Sequence, residues 1–103
     1  MDRRSEPRLR VEFPVRIWGI DRMARPFAEV VRVKNVSLSG AVLFGVHAKI
    51  RAGELLDVQH GSQQAQFLIS WAESGEAGIQ SLPFEPCIWK IAPPKTSDTV
   101  GTG

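Results

Sequence analysis

Six short runs with strand character predict a mainly all-β fold: a six-stranded antiparallel β-barrel with a short C-terminal helix. Three observations carry this. Apolar residues recur every second position in several runs, as in Val15/Ile17, Val31/Val33 and Phe67/Ile69, the period of a half-buried strand. Turns bearing glycine fall between the runs, at Ala52-Gly53-Glu54, Gly61-Ser62 and Ser74-Gly75-Glu76, a spacing typical of closed antiparallel sheets. No long amphipathic helix separates the strands, which argues against a parallel α/β arrangement.

Residues 1–10 are polar and basic, and Pro7 interrupts any helix, so they read as a flexible arm. From Val11 a first strand alternates Val15, Ile17 and Gly19 with Arg16 and Trp18. Gly19 to Pro26 is a connection carrying Asp21, Arg22 and Arg25. Phe27 to Val36 reads as the second strand. Ser37-Leu38-Ser39-Gly40 is a turn, since serine supplies local hydrogen bonds and glycine a permissive backbone. Ala41 to Val46 forms a buried strand and Leu55 to Val58 a short one. Ala65 to Trp71 follows the Gly61-Ser62 hairpin, with Ala65, Phe67, Ile69 and Trp71 on one face. Ala77 to Leu82 is the last strand. Pro83, Pro86, Pro93 and Pro94 leave room only for a short helix around Cys87 to Ile91. The chain thus divides into an arm (1–10), a barrel domain (11–92) and a small polar tail (93–103) expected to be disordered.

With 103 residues, 43% of them hydrophobic, the chain is long enough for one small core. Charge is uneven. Residues 1–34 hold nine Arg and Lys against five Asp and Glu, while residues 35–103 hold four against six. Arg3, Arg4, Arg8 and Arg10 crowd into the first ten residues, which suits a compact anion better than a nucleic acid polymer. Cys87 is the single cysteine. No intramolecular disulfide can form, and a reducing, cytoplasmic setting is expected. No apolar run is long enough to insert in a membrane, and the charged N-terminus lacks a signal-peptide core.

Two motifs stand out. Arg4-Ser5-Glu6-Pro7-Arg8 places two arginines four apart, and Asn35-Val36-Ser37-Leu38-Ser39-Gly40 begins 27 positions after Arg8. Each pattern alone occurs by chance. Together, in this order and ahead of a run of short strands, they resemble the RxxxR and [D/N]xSxxG signatures of the PilZ domain, a bacterial β-barrel family known for receptors of cyclic di-GMP. The resemblance spans roughly residues 3–82. Trp71 and Gly78-Ile79 extend it, matching a strand with a tryptophan followed by a glycine-hydrophobic pair. Ser81 departs from it, standing where an aromatic is usual.

The resemblance implies that Arg4 and Arg8 grip cyclic di-GMP, with Arg3 and Arg10 as flanking charge, and that Asn35, Ser37 and Gly40 complete the site. The residue types fit. A guanidinium donates two parallel hydrogen bonds to a phosphate or to guanine O6 and N7, and its flat face stacks on a purine. Asn35 and Ser37, two apart on a strand, leave one face, and offer an amide and a hydroxyl for guanine or phosphate. Gly40 permits a tight turn and close approach of the ligand. The blander reading of the arm is a solvated basic terminus, and that of Asn35–Gly40 is an ordinary turn.

Other features read structurally. His47 and His60 lack partners at metal-ligand spacing. Cys87 reads as a buried small hydrophobe without a base beside it, and Trp18, Trp71 and Trp89 as core or rim residues. Glu54, Asp57, Glu73 and Glu76 sit in or beside turns, with nothing pairing them as acid and base. The expected function is therefore a non-enzymatic binding module that needs no cofactor. It changes conformation on taking up cyclic di-GMP and signals to an effector protein. The alternative is a PilZ-like adaptor of motility or pilus assembly that does not bind nucleotide. A barrel for single-stranded nucleic acid would interleave aromatics with basic residues on its strands, whereas here the basic residues crowd the arm.

Overall fold

The structure is a computed structural model that describes residues 9–89. The strands are β1 (Leu9–Ile20), β2 (Pro26–Ser37), β3 (Gly40–Phe44), β4 (Leu55–His60), β5 (Gln63–Glu73) and β6 (Glu76–Ser81). They close a barrel in the order β1-β2-β3-β6-β5-β4, with every pairing antiparallel. The all-β, six-stranded antiparallel barrel expected from the period-two runs is therefore present.

The alternating positions fill the interior. Val15 and Ile17 of β1, Val31 and Val33 of β2, Leu43 of β3, Leu56 and Val58 of β4, Phe67 and Ile69 of β5 and Ile79 of β6 are all buried. β5 and β6 join through Ser74 and Gly75, both at positive φ (48° and 79°), the backbone of a tight two-residue hairpin turn that matches strand twist. Gly61, at φ 65°, opens the corresponding turn between β4 and β5.

One end of the barrel is stoppered by the segment after β6. Ile88 and Trp89 are buried, and the Trp89 ring lies 5.5 Å from Phe67 and 6.1 Å from Phe13. His60 stacks on Phe13 at 4.3 Å, and its Nδ1 lies 3.2 Å from the Ile88 carbonyl oxygen. Upstream, Glu85 accepts the Gln66 backbone N–H at 2.8 Å. A segment with two prolines thus closes the barrel through two apolar side chains and a few polar ties.

Several expectations change. β1 begins at Leu9, so Arg10, assigned to the arm, lies on a strand and pairs with Asn35. β3 ends at Phe44, where Gly45 takes φ 79°. Residues 82–89 contain no helix, and the remainder of the helix expected around Cys87–Ile91 lies outside the described residues. Cys87 is exposed, not buried, because the chain turns Ile88 and Trp89, the two residues after it, inward. Arg3, Arg4 and Arg8, and the tail at 93–103, also lie outside the described residues. Among the described residues, no helix is long and apolar enough to cross a membrane.

Candidate functional site

Three one-residue register shifts mark the sheet, and all three surround one stretch of its outer surface. In β1 and β2, Arg10 pairs with Asn35 but the next pair is Phe13 with Val33, leaving Val11 and Glu12 opposite Lys34 alone. Between β2 and β3 the pairs Val33–Leu43 and Asn35–Val42 leave Lys34 as the extra residue. Between β5 and β6, Ile69–Ile79 and Trp71–Gly78 leave Ser70 extra. Such bulges re-aim side chains and cluster beside functional sites.

Their effect here is to exchange inside for outside. Val31 and Val33 are buried, so strict alternation would send Asn35 into the core. The bulge at Lys34 reverses the parity, and Val36 is buried while Asn35 and Ser37 are only half-buried, facing outward together. The shared face expected of Asn35 and Ser37 is present, and the bulge turns it outward. In β5, Ala65, Phe67 and Ile69 are buried, and the bulge at Ser70 turns Trp71 out, leaving it 41% exposed while Ala72 packs on the core. Trp71 was expected on the buried face; it lies on the outer one.

Asn35, Ser37 and Trp71 meet across a cleft of about 190 Å³ that runs over the outer faces of β2, β3, β6 and β5. The Ser37–Gly40–Gln80 and Asn35–Val42–Gly78 rows cross its floor. Two of these positions are glycines, so the floor is low. At Gly78 a Cβ would fall on Nε1 of Trp71 and lie 2.7 Å from Cδ1 and Cε2. The indole therefore rests directly on the Gly78 backbone. At Gly40 a Cβ would collide with the Ile79 carbonyl oxygen and sit 3.2 Å from Gln80 Cα. The glycine thus allows β3 and β6 to come together, and it also lines the cleft.

The rim is polar. Ser70 donates to Gln80 Oε1 at 3.3 Å. The Ser37-to-Gly40 turn is pinned to the end of β6 by Ser81, whose backbone N–H and hydroxyl both point at the Ser39 carbonyl oxygen, at 2.6 and 3.1 Å. Ser81 thus anchors the turn from Ser37 to Gly40. Next to the cleft, Lys34 pairs with Glu76 at 3.1 Å. A second hollow, of about 540 Å³, is lined by Arg10, Val11, Glu12, Lys34 and Asn35. Asn35 borders both.

The structure thus brings together Asn35, Ser37 and Gly40 from the second motif, with Arg10 close by through its pairing with Asn35. Trp71, Gly78, Gln80, Ser70 and Lys34 join them without having been singled out as site residues. Among the described residues, no group of three His, Cys, Asp or Glu side chains is placed to hold a metal ion. No model of a known protein family matches this chain, and no curated protein matches it in sequence.

Proposed function

We propose that the chain is a PilZ-type receptor for cyclic di-GMP, a binding module without catalytic chemistry, that passes its ligand state to a protein partner. The observation that carries this reading is the convergence of the Asn35 amide, the Ser37 hydroxyl and the Trp71 ring on one outer cleft. The cleft begins where β1 begins, since Leu9 pairs with Val36, between Asn35 and Ser37.

The chemistry follows from that placement. Asn35 and Ser37 supply acceptors for guanine N–H groups and donors for a phosphate oxygen. The Trp71 face, laid flat by Gly78, suits a purine ring, and aromatic–base stacking is worth about 1–3 kcal/mol per base. At about 190 Å³ the cleft is smaller than a full ligand pocket, which runs roughly 300–1,000 Å³. A dinucleotide seated there needs a second wall. Arg8 directly precedes Leu9 in the sequence, so the RxxxR motif is tethered to the first residue of β1, which pairs with Val36. Arg4 follows within the same short tether. The two forks are the wall, gripping phosphate and guanine from the side opposite the barrel.

The adaptor reading has its own observation. Ile20, Val30 and Leu55 are exposed on the outer faces of β1, β2 and β4, away from the cleft, and offer an apolar surface to a protein. Calorimetric titration with cyclic di-GMP, with GTP as control, separates the two. Saturable binding of cyclic di-GMP alone supports the receptor. Absence of heat with a folded protein leaves the adaptor.

A further inference from the structure

Lys34 is the inserted residue of the β2 bulge. Its ammonium lies 3.1 and 3.3 Å from the two carboxylate oxygens of Glu76 and 5.8 Å from the centre of the Phe44 ring. Phe44 pairs with Glu76 on β6, so this ion pair spans β3 near the Asn35–Val42–Gly78 row. Lys34 also borders the larger hollow that it shares with Arg10, Glu12 and Asn35. Glu12 is engaged by Arg32 at 3.2 Å. Two cations, Arg10 and Lys34, therefore flank Asn35 at the junction of the two hollows.

We propose that Lys34 is an anion-binding residue held in waiting by Glu76, and that the Arg10–Lys34 hollow is the second phosphate subsite of the cleft. This rests on the reading of the cleft as a nucleotide site. A phosphate seated beside Asn35 competes with the Glu76 carboxylate for the Lys34 ammonium. The competition is open because both partners of the ion pair are near 40% exposed (42% and 39%), and such half-solvated pairs hold weakly. An ammonium is a compact charge with three donors on a flexible stem, so it can swing from carboxylate to phosphate without moving the strand. Glu76 also stands opposite Glu73 in the β5–β6 hairpin, a like-charge pair that offsets part of what the ion pair contributes.

The test exploits two substitutions that break the same ion pair. A purely structural role moves both variants in one direction. A ligand role moves them in opposite directions. Lys34→Gln is expected to weaken cyclic di-GMP binding about tenfold, the effect of one charge-assisted hydrogen bond. Glu76→Gln is expected to tighten binding about threefold by removing the competitor, with both melting temperatures close to wild type. Affinity falling in both variants, or unchanged in Lys34→Gln, overturns the proposal. If the wild type ignores cyclic di-GMP, the nucleotide reading falls by itself. The three proteins are then titrated with inorganic pyrophosphate, following the amide resonances of Arg10, Lys34 and Asn35. The affinity order Glu76→Gln, wild type, Lys34→Gln retains the anion subsite, and no shift at these amides removes it.

Discussion

Gly78→Ala tests how the Trp71 wall of the cleft is built. The added methyl would fall on the indole, 2.7 Å from two of its carbons, whereas non-bonded carbons prefer about 3.5–4.0 Å. Trp71 is 41% exposed, so it yields by lifting into solvent rather than by moving β6. Lifting uncovers one face of the ring, on the order of 50 Å², or about 1.3 kcal/mol at ~25 cal/mol per Å². Opposing this, alanine at a position without positive φ restricts the unfolded chain and stabilises by about 0.4–1 kcal/mol. The single variant is therefore only mildly destabilised. The decisive assay is a double-mutant cycle with Trp71→Ala, read by denaturant unfolding. With the indole gone, Gly78→Ala is expected to stabilise, and the coupling between the two positions to be about 1.3 kcal/mol, well above the ~0.3–0.5 kcal/mol scatter of independent positions. Additive effects would refute the reasoning that glycine orients the tryptophan.

Two further predictions concern the ligand. Arg8→Lys keeps the charge but loses the fork, so binding of cyclic di-GMP is expected to weaken about tenfold or more, with Arg8→Ala at least as damaging and the fold intact. Near-equal affinity of the lysine variant in calorimetry would leave only diffuse electrostatics. Ser37→Ala is expected to cost about 1 kcal/mol of binding, one neutral hydrogen bond, with little change in melting temperature because its neighbour Val36 packs into the core. A large loss of stability with unchanged affinity would make Ser37 a turn residue instead.

Much of the barrel was legible because its interior is built from apolar residues, most of them β-branched, at period two, and periodicity is what a strand writes into sequence. Where it misled, the cause was a single inserted residue. Counting forward from Phe67 and Ile69 puts Trp71 inside. Counting back from the Ser74-Gly75 turn pairs Trp71 with Gly78 and puts it outside. The two counts conflict, and the conflict itself locates the bulge at Ser70. An aromatic directly across from a glycine is a familiar pairing in designed sheets, so the turn-based count was available in the sequence. At Lys34 the same conflict is visible, since Val31, Val33 and Val36 cannot share a face without an extra residue.

The rest was not readable locally. Whether Cys87 or the following Ile88 and Trp89 face the barrel depends on how the chain after β6 folds back over its end, which no short-range pattern encodes. The same holds for Ser81, whose bond to the Ser39 carbonyl oxygen joins residues 42 apart. Lys34 and Glu76 likewise meet only because β2, β3 and β6 are neighbours in the closed order.

The proposed seat of cyclic di-GMP is the outer cleft between β2 and β5, and amide-resonance mapping during titration of the isotope-labelled protein reports on it residue by residue. The resonances of Asn35 to Ala41, Gly78 to Gln80 and the Trp71 indole N–H are expected to move together and saturate, while those of Leu55 to Gln59 on the far side stay still. Shifts confined to the β1–β4 face, or none at the Trp71 indole and Asn35, would contradict it.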